Sequence, residues 1–157
     1  MTAHLSGPAV RGWTRALFVA GIVVLIDQVT KAILVDSIAP GERVSLVLGV
    51  DLAHVTNRGI AFGLFGEGGD AVLVVTTAAL ALVLIWFARD PGRPGLWLAV
   101  GLLVGGALGN LADRVREDAV TDFIDPPLWP AFNAADIAIT AGAVALVLTA
   151  LGRVESG

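Results

Sequence analysis

Gly105-Gly-Ala-Leu-Gly-Asn-Leu-Ala-Asp-Arg-Val-Arg-Glu-Asp-Ala-Val-Thr-Asp-Phe-Ile-Asp-Pro-Pro-Leu-Trp-Pro-Ala-Phe-Asn-Ala-Ala-Asp136 joins two long apolar runs, and Asp113, Asp122, Asp125 and Asp136 lie within it. A charged group at the edge of a bilayer is ordinary, because it reaches water. Several acids at the facing ends of two apolar runs, beside Asn110, Asn133 and Arg114, are a functional-site signal. The plain alternative is a solvated loop between two helices.

Composition supports the membrane setting. Of 157 residues, 56% are hydrophobic and 15% charged, and the mean hydropathy is +0.83. Soluble domains have about 45–50% apolar and about 25% charged residues. The chain is short enough for one domain, 1–157. Without cysteine it has no disulfide, no thiolate metal site and no cysteine nucleophile. His4 and His54 lack the spacing of a zinc pair. No metal and no cofactor are expected. A net charge of −4 and a pI of about 4.9 argue against nucleic acid.

Outward from the opening stretch, Gly101, Gly105 and Gly109 recur every fourth residue, a small-residue ridge on which another helix can pack closely. Asp113 continues that face. Spans are expected at about 13–35, 71–88, 95–114 and 133–152, with segments 36–70 and 115–132 outside the membrane. Residues 1–11 read as a disordered tail. Asp27 and Lys31 are four apart, on one helix face, and can pair. Val44, Leu46, Leu48, Val50 and Leu52 alternate, so one or two amphipathic strands are expected there, with Gly49 a place to bend or divide them. Such a sheet would lie on the membrane surface. Residues 56–63 read as a turn with an apolar hook. The fold class is an all-α membrane protein of four transmembrane helices, with a small extracytoplasmic sheet between helices 1 and 2. Counting Lys and Arg on each side gives a tie, with Arg11, Arg15, Arg89, Arg93 and Arg153 against Lys31, Arg43, Arg58, Arg114 and Arg116. Termini inside is favoured because several of the opposing residues belong to candidate site motifs.

Two adjacent aspartates do not both ionise readily, so one keeps a proton. An ionised carboxylate can take a proton from water while a protonated one polarises an amide carbonyl, which is hydrolysis without a metal. Asp136, at a helix N-terminus, is a candidate for the ionised member. Asn110, Asn133 and Arg114 could orient such a pair. Residue chemistry alone does not choose two of the aspartates.

Asp27-Gln-Val-Thr-Lys31, Asn57-Arg-Gly-Ile-Ala-Phe62, Gly105-Gly-Ala-Leu-Gly-Asn-Leu-Ala-Asp-Arg114, Val120-Thr-Asp-Phe-Ile-Asp125 and Phe132-Asn-Ala-Ala-Asp136 follow one another along most of the chain. Together they resemble the lipoprotein signal peptidase (signal peptidase II) family. Each motif alone is weak, and five in order are specific. The resemblance implies an aspartic endopeptidase of the bacterial inner membrane. It would cut the signal peptide from prolipoproteins just before a diacylglyceryl-modified cysteine. Carried onto this chain, Asp122 and Asp136 become the catalytic pair. Asp27, Lys31, Asn57, Gly109, Asn110, Asp113, Arg114 and Asn133 become supporting or substrate-binding residues. Segment 36–57 becomes a surface cradle, and 58–70 an extracytoplasmic helix or lid. The implied partners are prolipoproteins and membrane lipids, and the chain is expected to act as a monomer. Ile60 and Thr121 depart from the expected Ala and Val, and the link from Asp122 to Asp136 is short.

A four-span proton-coupled transporter is the alternative from another class. Its site would lie near the midplane, whereas these acids fall at span ends, and an amphipathic 36–57 segment has no part in it. A packing scaffold would use the glycines and leave the acids unexplained.

Overall fold

The structure is a computed structural model that describes residues 7–58 and 69–152. The expected hook and lid at 59–68, Ile60 and Arg153 lie outside the described residues. Among the described residues four helices and three strands follow in the order α1 (Gly7–Ser37), β1 (Arg43–Ser45), β2 (Asp51–Asn57), α2 (Gly69–Arg89), α3 (Leu96–Glu117), β3 (Val120–Asp125) and α4 (Ala134–Leu151). By length and composition α1, α3 and α4 can each cross a membrane, and α2 holds the shorter apolar stretch Leu73–Arg89.

Residues 7–11, expected in a disordered tail, are the first turn of α1. Pro8 is compatible with that position, since a first-turn residue needs no amide donor. Downstream, α1 buries a narrow stripe that includes Ala9, Gly12, Ala16, Ala20, Asp27, Lys31 and Leu34. Leu17, Phe18, Leu25 and Ile33 are each at least 60% exposed. In water that outer face would be a liability; in a bilayer it contacts acyl chains as readily as protein.

Helix α3 is the centre of the bundle. The glycine ridge faces α1: a Cβ on Gly101 would meet Val19 and Ala16, and one on Gly105 would meet Val23 and Ala20, all within 3.0 Å. Gly106 sits against Ala135 of α4, and Gly142 of α4 sits against Leu103 and Ala99. The close approach expected of the ridge is therefore made toward α1, while α4 closes on the opposite side. At the other end of the bundle Phe87, Leu96 and Val100 are buried together, with Trp13 packed edge-on to Phe87 at 4.7 Å.

The sheet differs from expectation. It has three antiparallel strands in the order β1-β2-β3, and the third comes from the connection between α3 and α4. No strand is expected from the sequence in that extracytoplasmic segment, the sheet being placed between helices 1 and 2. The first four residues of β3 are all buried, so no alternation in the sequence announces the strand. Pairing with β2 creates it. The alternating run 44–52 is divided, as Gly49 suggested: Val50 N–H donates to Val47 O at 3.2 Å, with Leu48 at φ 58° and Gly49 at φ 77°. A β2 bulge between Leu52 and Val55 sets Val55 opposite Asp122. Phe132 then bridges back to Ile124, which folds the proline-containing link against β3 and delivers Asn133 beside Asp122.

Candidate active site

The polar residues singled out in the sequence converge where the lower ends of α1 and α3, the start of α4 and the sheet meet. Lys31 is at the centre of the deeper layer. Its three ammonium protons have three acceptors: Asp27 Oδ2 at 2.8 Å, Asn110 Oδ1 at 3.0 Å and Asp113 Oδ2 at 2.7 Å. Asp27 and Lys31 therefore pair as their spacing predicts, but inside the protein rather than at the water interface, since Asp27 is fully buried. Asp27 Oδ1 accepts from the backbone N–H of Ala135 at 3.0 Å, at the positive end of α4. Gly109 makes room for this carboxylate, because a Cβ there would lie 2.5 Å from Asp27 Oδ2. Asp113 also accepts from Thr121 N–H at 3.4 Å, next to Asp122.

The outer layer carries the two aspartates of interest. Asn133 Nδ2 donates to Asp122 Oδ1 at 2.7 Å and to Asn110 Oδ1 at 3.0 Å. At its other end, Asn133 Oδ1 accepts from Asp136 N–H at 3.0 Å, and Asp136 Oδ2 accepts from Asn133 N–H at 3.2 Å. This reciprocal capping box fixes the first turn of α4. Asn110 Nδ2 donates to Asp136 Oδ1 at 2.8 Å. Asn133 thus holds the Asp122 carboxyl and Asn110 the Asp136 carboxyl, the two amides being bonded to each other, with Lys31 behind them. Arg114 lies within electrostatic reach of Asp136, Asp122 and Asp113, and it donates to Asn110 O at 3.4 Å.

Asp122 stands on β3, outside the membrane-spanning helices, and is 1% exposed. Burial pushes its carboxyl up to about 6, against the opposing effect of the hydrogen bond from Asn57, with the Asp136 charge adding to the rise. Asn57 Nδ2 donates to Asp122 Oδ2 at 2.8 Å. Asn57, expected to support the site or bind substrate, is thus turned onto the Asp122 carboxyl. Beside them opens a cleft of about 320 Å³ lined by Val55, Thr56, Asn57, Arg58, Asp122 and Pro130, among others.

Asp125 stands apart from this cluster. Its side chain is 16% exposed and ion-paired with Arg43 on β1. It lies directly opposite Asp51 in the sheet, and Arg43 also reaches Asp51 at 3.8 Å. Gln28 was missed as a site residue. Its Nε2 donates to Asp113 Oδ1 at 2.9 Å and to Asp27 Oδ2 at 3.1 Å, and its Oε1 accepts from Arg116. Adjacent helical residues do not share a face, so Gln28 carried no pattern beyond its place in the Asp27–Lys31 motif.

Apolar helices ending on a hydrogen-bonded cluster of carboxylates and amides, beside a cleft at the sheet, define a membrane protein with a polar site at one end of its bundle. The chain belongs to the signal peptidase (SPase) II family, whose model matches residues 19–152. It is 37% identical to the lipoprotein signal peptidase of Halothermothrix orenii, over 81% of this chain and 88% of that protein. It is 42% identical to that of Pelotomaculum thermopropionicum (82% and 86%) and 38% identical to that of Burkholderia mallei (96% and 93%). Two solved structures of a bacterial membrane enzyme, determined by the in meso method at 1.9 and 2.3 Å, superpose with TM-scores of 0.79 and 0.81. They are 30% and 28% identical to this chain and cover 87% and 90% of it, corresponding to 92% and 90% of their own chains.

Proposed function

We propose that the chain is a membrane aspartic endopeptidase that removes the signal peptide from diacylglyceryl-modified prolipoproteins, just before the lipidated cysteine. Family membership supports the peptidase reading and leaves the transporter and scaffold alternatives without support. The single observation that supports the catalytic assignment is the amide network: Asn133 donates to Asp122 and to Asn110, and Asn110 donates to Asp136.

In this reading Asp122 and Asp136 act as a pair. Asp122, raised to about 6, holds the shared proton and polarises the scissile carbonyl. Asp136, held at the start of α4 by Asn133 N–H and Asn110 Nδ2, receives a proton from the attacking water. The protonated member then donates to the leaving amine. Lys31, Asp27 and Asp113 keep the deeper layer fixed, Asn57 positions Asp122, and Arg114 lends positive charge. The single integral domain crosses the inner membrane four times, with both termini cytoplasmic and the dyad open to the outer face. Exposed apolar groups in the turn between β1 and β2, such as Leu48 at 97% exposure, support a sheet lying on the membrane. The substrate's acyl chains stay in the bilayer while its backbone extends along the cleft. The enzyme works as a monomer and without a metal.

Asp122→Asn and Asp136→Asn each keep shape and remove an acid. Each is expected to abolish cleavage of a lipidated propeptide in detergent while thermal unfolding stays cooperative. Turnover like that of the unaltered protein in either variant overturns the dyad. Cleavage is expected to survive chelators; an inactive chelated sample restored by a divalent ion overturns the metal-free mechanism.

A further inference from the structure

At the end of the bundle opposite the dyad, α1, the α2–α3 turn and the start of α3 enclose a cavity of about 220 Å³ lined by Arg11, Arg15, Arg93, Pro91, Gly92 and Trp97, among others. Arg15 and Lys31 are separated by about 24 Å along α1 at ~1.5 Å per residue, so this cavity is remote from the catalytic layer. Its walls are fixed by backbone contact. A Cβ on Gly12 would lie 1.7 Å from Pro91 O, and Gly92 sits against Pro8. Arg93 is tied by its guanidinium to the carbonyl of Thr149, and Arg15 lies over the Trp97 ring at 5.6 Å.

The charge balance there is one-sided in a chain whose net charge is −4. Among the described residues the ion-paired cations are Lys31, Arg43 and Arg116, all at the dyad end. Arg11, Arg15 and Arg93 line one cavity, and no carboxylate is among its lining residues. Asp90, in the same turn, uses its backbone to cap α2 and cap the turn, accepting from Arg93 N–H at 3.3 Å. Guanidinium groups match phosphate oxygens by paired N–H donors. Basic pockets between helices at the cytoplasmic rim suit anionic lipid head groups, and an indole at the rim suits the head-group depth.

We infer that this cavity binds the phosphodiester of an anionic membrane phospholipid, with Arg11 and Arg15 as its principal contacts and Arg93 completing the cradle. The site is independent of the dyad and rests only on the membrane placement proposed above. A lipid seated there bridges α1, the α2–α3 turn and α3, and therefore stabilises the bundle by binding the folded state alone.

The test is thermal unfolding of the full chain in neutral detergent, without substrate. Dioleoyl phosphatidylglycerol, dioleoyl phosphatidylcholine and sodium phosphate are titrated separately. Phosphatidylglycerol is expected to raise Tm saturably and phosphatidylcholine is not. Arg11→Gln and Arg15→Gln are each expected to weaken the apparent affinity about tenfold, the loss of one charge-assisted contact. Arg89→Gln, which removes a neighbouring charge outside the cavity, is expected to leave it unchanged. Both arginine variants keep their cleavage activity in detergent, which separates this site from the catalytic reading. Equal shifts with the two lipids, or a shift that survives both arginine variants, overturn the proposal. The same saturable shift from sodium phosphate alone overturns the lipid as occupant and leaves a free-anion site.

Discussion

Asn133 has one side-chain amide and uses both ends of it. Nδ2 reaches Asp122, and Oδ1 accepts from the N–H of Asp136, so a single rotamer sets the relation between the two acids. Asn57 acts on Asp122 from the opposite side. Its donated hydrogen bond favours the ionised carboxylate and so holds down a carboxyl that burial pushes up to about 6. Asn57→Ala removes that restraint, and the carboxyl moves further up. The proposed mechanism needs a proton on Asp122, so the alkaline limb of the kcat profile is expected to shift to higher pH, with lower turnover at saturating substrate but more than Asp122→Asn retains. A pH series in a lipopeptide assay reads this directly, and an unmoved limb would mean that the amide does not act on the ionised form. The same raised carboxyl affects the fold. The native state binds the proton more tightly than the unfolded chain, so this contribution to stability is full at low pH and is lost as pH rises through about 6.

At the scale of elements, the α1–α3 contact decides whether the deeper layer forms. Gly109→Ala would put a Cβ 2.5 Å from Asp27 Oδ2, a carboxylate already held by Lys31 and by Ala135 N–H. The expected cost is about 1–3 kcal/mol, the usual range for overpacking, together with reduced cleavage. Gly21→Ala is the control, because a Cβ there meets nothing within 4 Å. Equal melting temperatures for the two variants would remove Gly109 from the site's architecture. In the sheet, Asp125 faces Asp51 across the strand pair, with Arg43 between them. Like charges directly opposite one another are unfavourable, so Asp125→Asn relieves that repulsion while it weakens one half-exposed ion pair. Cleavage and melting temperature are expected to stay near those of the unaltered chain; a severe loss of turnover would make Asp125 a working acid.

For the molecule as a whole, the dyad and the arginine cavity lie at opposite ends of the same helices. This polarity predicts an orientation. The cysteine-free sequence allows single-cysteine probes, with residues 54 and 129 labelled by an impermeant thiol reagent from outside and residues 90–94 protected. The reverse pattern would invert the topology and put the dyad on the side away from the outer leaflet.

Helix existence, the glycine ridge and the Asp27–Lys31 pairing were legible in the sequence because each depends on local periodicity: a long apolar run, a repeat of four, an i to i+4 spacing. The five ordered motifs named the polar residues for the same reason, since each is a short contiguous string. Strand β3 was not legible. Its residues are buried on both faces and become a strand only through pairing with β2, many residues away in sequence. Nor could spacing show that Asn57 turns onto Asp122, that Gln28 joins the Asp27–Asp113 layer, or that Asp125 is held by Arg43. Those contacts join segments that only the packing of α1, α3 and the sheet brings together. The sequence by itself determined which side chains are present and which helices carry them. The tertiary structure alone decided their partners, because hydrogen bonds between buried groups are fixed by distances that no one-dimensional spacing specifies.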